Sequence, residues 1–156
     1  MVDTNVFAVA EGMNAGASEN CVDACSAVLL RIEAGYRILV DSSDEILSEY
    51  VSVLRAARTS GLAVKLADRL YRTRFGGQCC EMVEITPSDP PPGTYEEVPA
   101  ALRDFDIDDQ KFIAVAASAG GASPIIAGVD GEWWDRQADF TANGLSVQFP
   151  CIADLM

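Results

Sequence analysis

Four acidic residues stand where chemistry is within reach: Asp3 in "VDTNVF", Glu49 in "EILSEYVSVL", Asp109 in "DDQKFIAVAA" and Asp130 in "GVDGEW". Carboxylates that converge in space repel one another unless a cation sits among them, and hard oxygen ligands suit Mg2+ or Mn2+. The chain has no histidine. That absence removes Ser-His and Cys-His nucleophile pairs, an imidazole general base and His-ligated zinc. Carboxylate with a divalent metal is the chemistry that remains, and a metal that lowers the pKa of bound water dispenses with a protein base.

Other residues around the acids carry two readings each. Asn5 can hold Asp3 or a metal-bound water, or equally cap a turn of helix. "DFDIDD" imitates a calcium loop from Asp104, but the sixth place is Asp109 instead of Gly and the twelfth Val115 instead of Glu, so an EF-hand is rejected. Asp106 and Asp108 are then expected to cap the following helix or raise the local potential. Trp133 and Trp134 can stack a nucleobase, with at least one expected in the core, and Tyr50 divides the same way.

Cysteine chemistry offers little. Cys21, Cys25, Cys79, Cys80 and Cys151 are odd in number and lack framework spacing. Cys21 and Cys25 share a helix face, yet two-residue zinc knuckles are missing, and buried free thiols in a reducing cytosol are expected.

A net charge of −13 argues against a nucleic-acid partner until its distribution is read. Arg55, Arg58, Lys65, Arg69, Arg72 and Arg74 are six of the eleven basic residues, with Asp68 the only acid in that stretch. Lys65, Arg69 and Arg72 line one helical face, a solvated surface by the ordinary reading and a docking surface for RNA phosphates by the functional one.

The elements that must position these residues alternate. The chain has 156 residues, 49% of them apolar, which suits one compact domain over 1–156. No apolar run approaches a membrane span and the N-terminus is unlike a secretion signal, so a soluble cytoplasmic protein is expected. Periodicity predicts a short strand at "VDT", a helix from Asn20 to Glu33, a strand at "YRILVD", and a helix over "EILSEYVSVLRAAR" with Ser43 as cap. It continues with a helix from Leu62 to about Phe75, a strand at "QCCEMVEI" and a proline-rich connector at "TPSDPPPGTYEEVP". A helix at "DDQKFIAVAASAG", a strand at "SPIIAGV", one helix over "GEWWDRQADFTANG" and a strand at "LSVQF" complete the chain. This order predicts an α/β fold of three layers, α/β/α, around a central mainly parallel sheet of four to five strands. The four acids then fall at strand exits or helix starts, where such sheets place ligands.

The order and surroundings of these acids resemble the PIN domain, a family of metal-dependent ribonucleases that includes toxins of bacterial toxin–antitoxin pairs. The match runs through "VDTNVF", "EILSEYVSVL", "DDQKFIAVAA", "GVDGEW" and the closing "GLSVQFP", nearly the whole chain. The resemblance implies that Asp3, Glu49, Asp109 and Asp130 are catalytic metal ligands, with Glu132 in the family's last acidic place. It further implies RNA as substrate, cleavage leaving a 5′-phosphate, a homodimer and an antitoxin protein as partner. Gly128 stands where the family usually has Thr or Ser, and Glu132 where it has Asp. These two departures raise a rival reading, a decayed PIN-like module that binds RNA or protein without cutting. A phosphotransfer enzyme forming an aspartyl-phosphate at Asp3 is a third, disfavoured because Asn5 stands where such enzymes want a second Asp.

Overall fold

The structure is a computed structural model that describes residues 1–56, 60–88 and 92–156. Arg58 of the basic stretch and residues 89–91 of the proline-rich connector lie outside the described residues.

Helix α1, Thr4–Ala10, begins directly after Asp3, whose carboxylate accepts the Asn5 backbone N–H. Asp3 is therefore the cap, and Asn5 is not. Ser18 caps α2, Glu19–Glu33, with its hydroxyl 3.2 Å from the Cys21 N–H, and Gly35 follows the end with φ 113°. Strand β1, Ile38–Asp41, leads into α3, Glu45–Arg55. Here the expected Ser43 cap is not used. The buried Asp41 carboxylate instead accepts the Glu45 and Ile46 N–H groups, both at 2.8 Å, and Asp44 bridges the turn at φ 65°.

Helix α4, Leu62–Thr73, packs on α3 and is followed by β2, Cys80–Val83. The proline-rich stretch is more than a connector: β3, Pro87–Ser88, and β4, Thr94–Tyr95, pair antiparallel across it. Helix α5, Gln110–Ser118, buries seven consecutive residues, Gln110 to Ala116, against neighbours that include β1 and β4. After β5, Ile125–Ile126, the single helix expected over 131–144 is two, α6, Gly131–Asp135, and α7, Gln137–Ala142. Arg136 sits at the break with φ −98° and ψ 10°, its guanidinium held by Asp104 and Asp139. Strand β6, Val147–Gln148, and a terminal turn, α8, Ile152–Leu155, close the chain.

About half of the chain is helical, and the mixed α/β class holds. The continuous sheet of four to five strands does not form among the described residues. β1 pairs with β2 and β5 with β6, both parallel as expected, and Val2 adds one parallel bridge to Ile126. Strands of two residues supply too few ladder bonds to join these pieces. Residues 1–3 are tied to α3 by a side chain: the Tyr50 hydroxyl donates to the Val2 carbonyl. A pocket of about 500 Å3 opens between residues 1–2 and β1, lined by Met1, Val2, Ile32, Ile38, Leu39 and Ile126 among others. Below it one apolar cluster runs from Met1 to Cys151. No described helix is long and apolar enough to cross a membrane.

Candidate functional site

Each of the four acids stands at or near an element boundary. Asp3 ends the Val2 bridge and caps α1; Asp109 precedes α5; Asp130 caps α6, accepting the Glu132 N–H at 2.9 Å; Glu49 lies in the second turn of α3. Asp3 is 3% exposed, and its Oδ2 is buried without a hydrogen-bond partner among the described residues.

The electrostatics tie them together. Burial, and then the charges of Asp109, Asp130 and Glu49, hold the Asp3 carboxyl well above the usual carboxylate range, against the Asn5 N–H that pulls it down. Asp109 is pushed up to about 7, first by burial and then by Asp130, with Lys111 opposing and Asp106 and Glu49 adding to the rise. The four are near enough to feel one another, but no three of them lie close enough to share one ion as they stand.

Glu49 is the most engaged. Its Oε1 accepts the Thr4 hydroxyl at 2.5 Å, and its Oε2 meets the Lys111 ammonium at 2.5 Å. Lys111, 7% exposed, also donates to the Asp108 carbonyl. It is a built-in counter-charge, and the sequence reading passed over it. The available signal was a lysine inside the otherwise apolar run after Asp109, where a charge is buried only with a partner. Asp3, with an orphaned buried oxygen, Asp109, with a carboxyl unused in capping, and Asp130 are hard-oxygen donors whose chemistry suits a divalent ion, but their present spacing does not bring three of them onto one ion.

Residues around the quartet take defined places. The Asn5 side chain does not hold Asp3; its Oδ1 accepts the Gly128 N–H at 2.7 Å. A Cβ on Gly128 would stand 2.6 Å from that oxygen, so any larger residue there displaces the Asn5 side chain. Glu132 accepts the Asp106 N–H at 3.3 Å and is held above its usual range by burial first. Asp106 in turn accepts the Asp108 N–H at 3.0 Å, closing a turn ahead of α5 instead of capping that helix, whose N-cap is Asp109.

Trp133 is fully buried against Phe105 and Phe140, Trp134 meets Phe149 edge-on, and Tyr50 stacks on Phe7 in the core. On α4, Arg69 pairs with Glu33 and Arg72 with Asp68, both at 3.0 Å, and Arg74, just past its end, pairs with Asp44 at 2.7 Å. Much of the positive stripe is thus compensated within the chain, while Lys65 has no ion pair among the described residues.

The cysteines depart from expectation. Cys21 and Cys151 form a disulfide, and Cys25, Cys79 and Cys80 are free. The sequence distance of 130 residues hid the pairing, which only the fold brings about. Comparison with family models, with curated proteins and with solved structures finds no match for this chain.

Proposed function

We propose that this chain is a metal-dependent ribonuclease of PIN type, a single α/β domain whose short parallel pairs are parts of a three-layer α/β/α plan. Asp3, Asp109 and Asp130 would draw together from their present spacing around Mg2+ or Mn2+, and the observation that carries the reading is the buried, unpartnered Oδ2 of Asp3 among three other carboxylates. A bound divalent ion there supplies an activated water and charge stabilisation at a phosphodiester. The chain's own contribution is placement. Asp3 and Asp130 cap α1 and α6, which fixes the direction of their carboxyls, and Lys111 with Thr4 orients Glu49. Lys65, with Arg69 and Arg72 released from their acidic partners, would meet RNA phosphates. In this reading the chain is a cytoplasmic toxin of a toxin–antitoxin pair, acting as a homodimer.

One observation favours the rival, a decayed module that binds RNA or protein: both Glu49 oxygens are already occupied. Labelled single-stranded RNA incubated with Mn2+, beside Asp109→Asn, separates the two. The nuclease reading expects metal-dependent cleavage that falls by about 100-fold or more in the variant. Equal cleavage by both proteins would mean a contaminating nuclease, and RNA retention without cleavage by either would favour the binding module.

A further inference from the structure

Outside the acid cluster, the described residues hold one group of metal-ligating side chains, Cys21, Cys25 and Cys151, whose sulfurs lie within 4.8 Å of one another. Cys21 and Cys25 stand one turn apart on α2, so their side chains share a face. Cys151, immediately before α8, meets them from the far end of the chain. The Cys25 sulfur lies 3.5 Å from that of Cys151. Cys151 is bonded to Cys21 and carries no proton, so the Cys25 S–H is the donor. A staple of two cysteines has no need of this third sulfur.

We propose that the reduced chain binds one thiophilic divalent cation at Cys21, Cys25 and Cys151, and that the Cys21–Cys151 disulfide is the closed, oxidised form of the same site. Three thiolates at about 2.3 Å around one ion stand about 4 Å apart when trigonal, the spacing this trio already approaches once the bonded pair separates. Soft sulfur selects Zn2+ or Cd2+ over the hard ions suited to Asp3 and its neighbours, so the two sites do not compete.

Charge and position agree with this assignment. Three thiolates around a divalent ion leave one net negative charge. Cys21 lies in the first turn of a 15-residue helix, where the dipole and free N–H groups favour an anion. The C-terminal turn carries Cys151 at its start. Asp154 latches it to the start of α2, accepting the Ser18 N–H and hydroxyl, both at 2.7 Å and both exposed.

Opening the site consumes a dithiol. Two electrons and two protons pass from the dithiol to the Cys21–Cys151 bond, giving two thiols and a disulfide of the reductant. The incoming cation then forms three metal–sulfur bonds and releases three protons.

The test uses the full chain, reduced with a phosphine under anaerobic conditions, desalted and titrated with Cd2+. One equivalent is expected to bind with a thiolate-to-metal charge-transfer band that excess Mg2+ leaves in place. Bound Cd2+ should protect Cys21, Cys25 and Cys151 from alkylation, read by mass spectrometry, and leave Cys79 reactive. The oxidised chain should show no such band, and Cys25→Ser should weaken binding by about 100-fold. The proposal is overturned if Cd2+ leaves Cys25 open to alkylation, or if Cys25→Ser binds as tightly as the unaltered chain. The protection experiment needs no variant, and the rate of Cys25 alkylation with Cd2+ against that of the same reduced chain without metal decides the matter even where Cys25→Ser fails to fold; equal rates overturn the proposal.

Discussion

Asp3 and Asp109 are carboxylates that the folded chain holds in protonated form more readily than the unfolded chain does. Such a shift weakens the fold as pH rises. The folded state gains protons relative to the unfolded state between the ordinary carboxylate range near 4 and the Asp109 value of about 7. Thermal melts in a chelator should therefore show a midpoint that climbs as pH falls from 8 towards 5. Asp109→Asn should flatten that dependence and raise metal-free stability at pH 8 by about 1–2 kcal/mol, because it removes one of the repelling charges. A midpoint that falls on acidification across that range would mean that the acids do not repel in the folded chain. Gly128 offers a second test at this scale. Its missing Cβ leaves room for Asn5 Oδ1, so Gly128→Ala should cost about 1–2 kcal/mol in chemical denaturation. Pairing it with Asn5→Ala should cost less than the sum of the two single changes. The acids were legible in the sequence because their types and order carry chemistry. Lys111 and the Asn5–Gly128 contact were not, because both depend on partners that only folding brings near.

Helices were read well wherever an apolar stripe and a stop signal coincide, as in α2 and α4, since 3.6-residue periodicity is written locally. The sheet was read less well. Its pieces at β5 and β6 are two residues long, and strand pairing is decided by neighbours far along the chain. The β3–β4 hairpin was hidden behind prolines that suggested a plain connector. Ser43 matched the cap preference by type, yet the helix start is satisfied by Asp41 from the end of β1. This joint links strand to helix and thereby sets the direction in which Glu49 and Tyr50 leave α3. Asp41→Ala removes two charge-assisted hydrogen bonds from buried N–H groups and should destabilise the chain by about 2 kcal/mol in urea unfolding. Asp41→Asn, which keeps one acceptor oxygen, should recover part of the loss. A neutral Asp41→Ala would mean that the α3 N-terminus finds other acceptors.

Over the whole molecule, the core joins the first residue to Cys151, and the disulfide fixes the chain's last segment to α2. The helices and apolar face beneath it were foreseeable, whereas expecting free thiols rested on cysteine count and spacing, which say nothing about a contact 130 residues apart. A loop of that length loses much of its closure entropy in the unfolded state when cross-linked, about 5 kcal/mol on a chain-entropy account. Reduction should then lower the thermal midpoint by about 15 °C for a chain of this size. Cys151→Ser should reproduce that fall without reductant and respond to reductant no further, with thiol counting to verify the state of each sample. The same melts connect the two sites. Zn2+ should restore part of the midpoint to the reduced chain but not to Cys151→Ser, whereas Mn2+ should act alike on both, because the carboxylates proposed to hold it lie elsewhere. An unchanged midpoint after verified reduction would show that apolar packing alone, with Cys151 in the core, holds the chain's end in place.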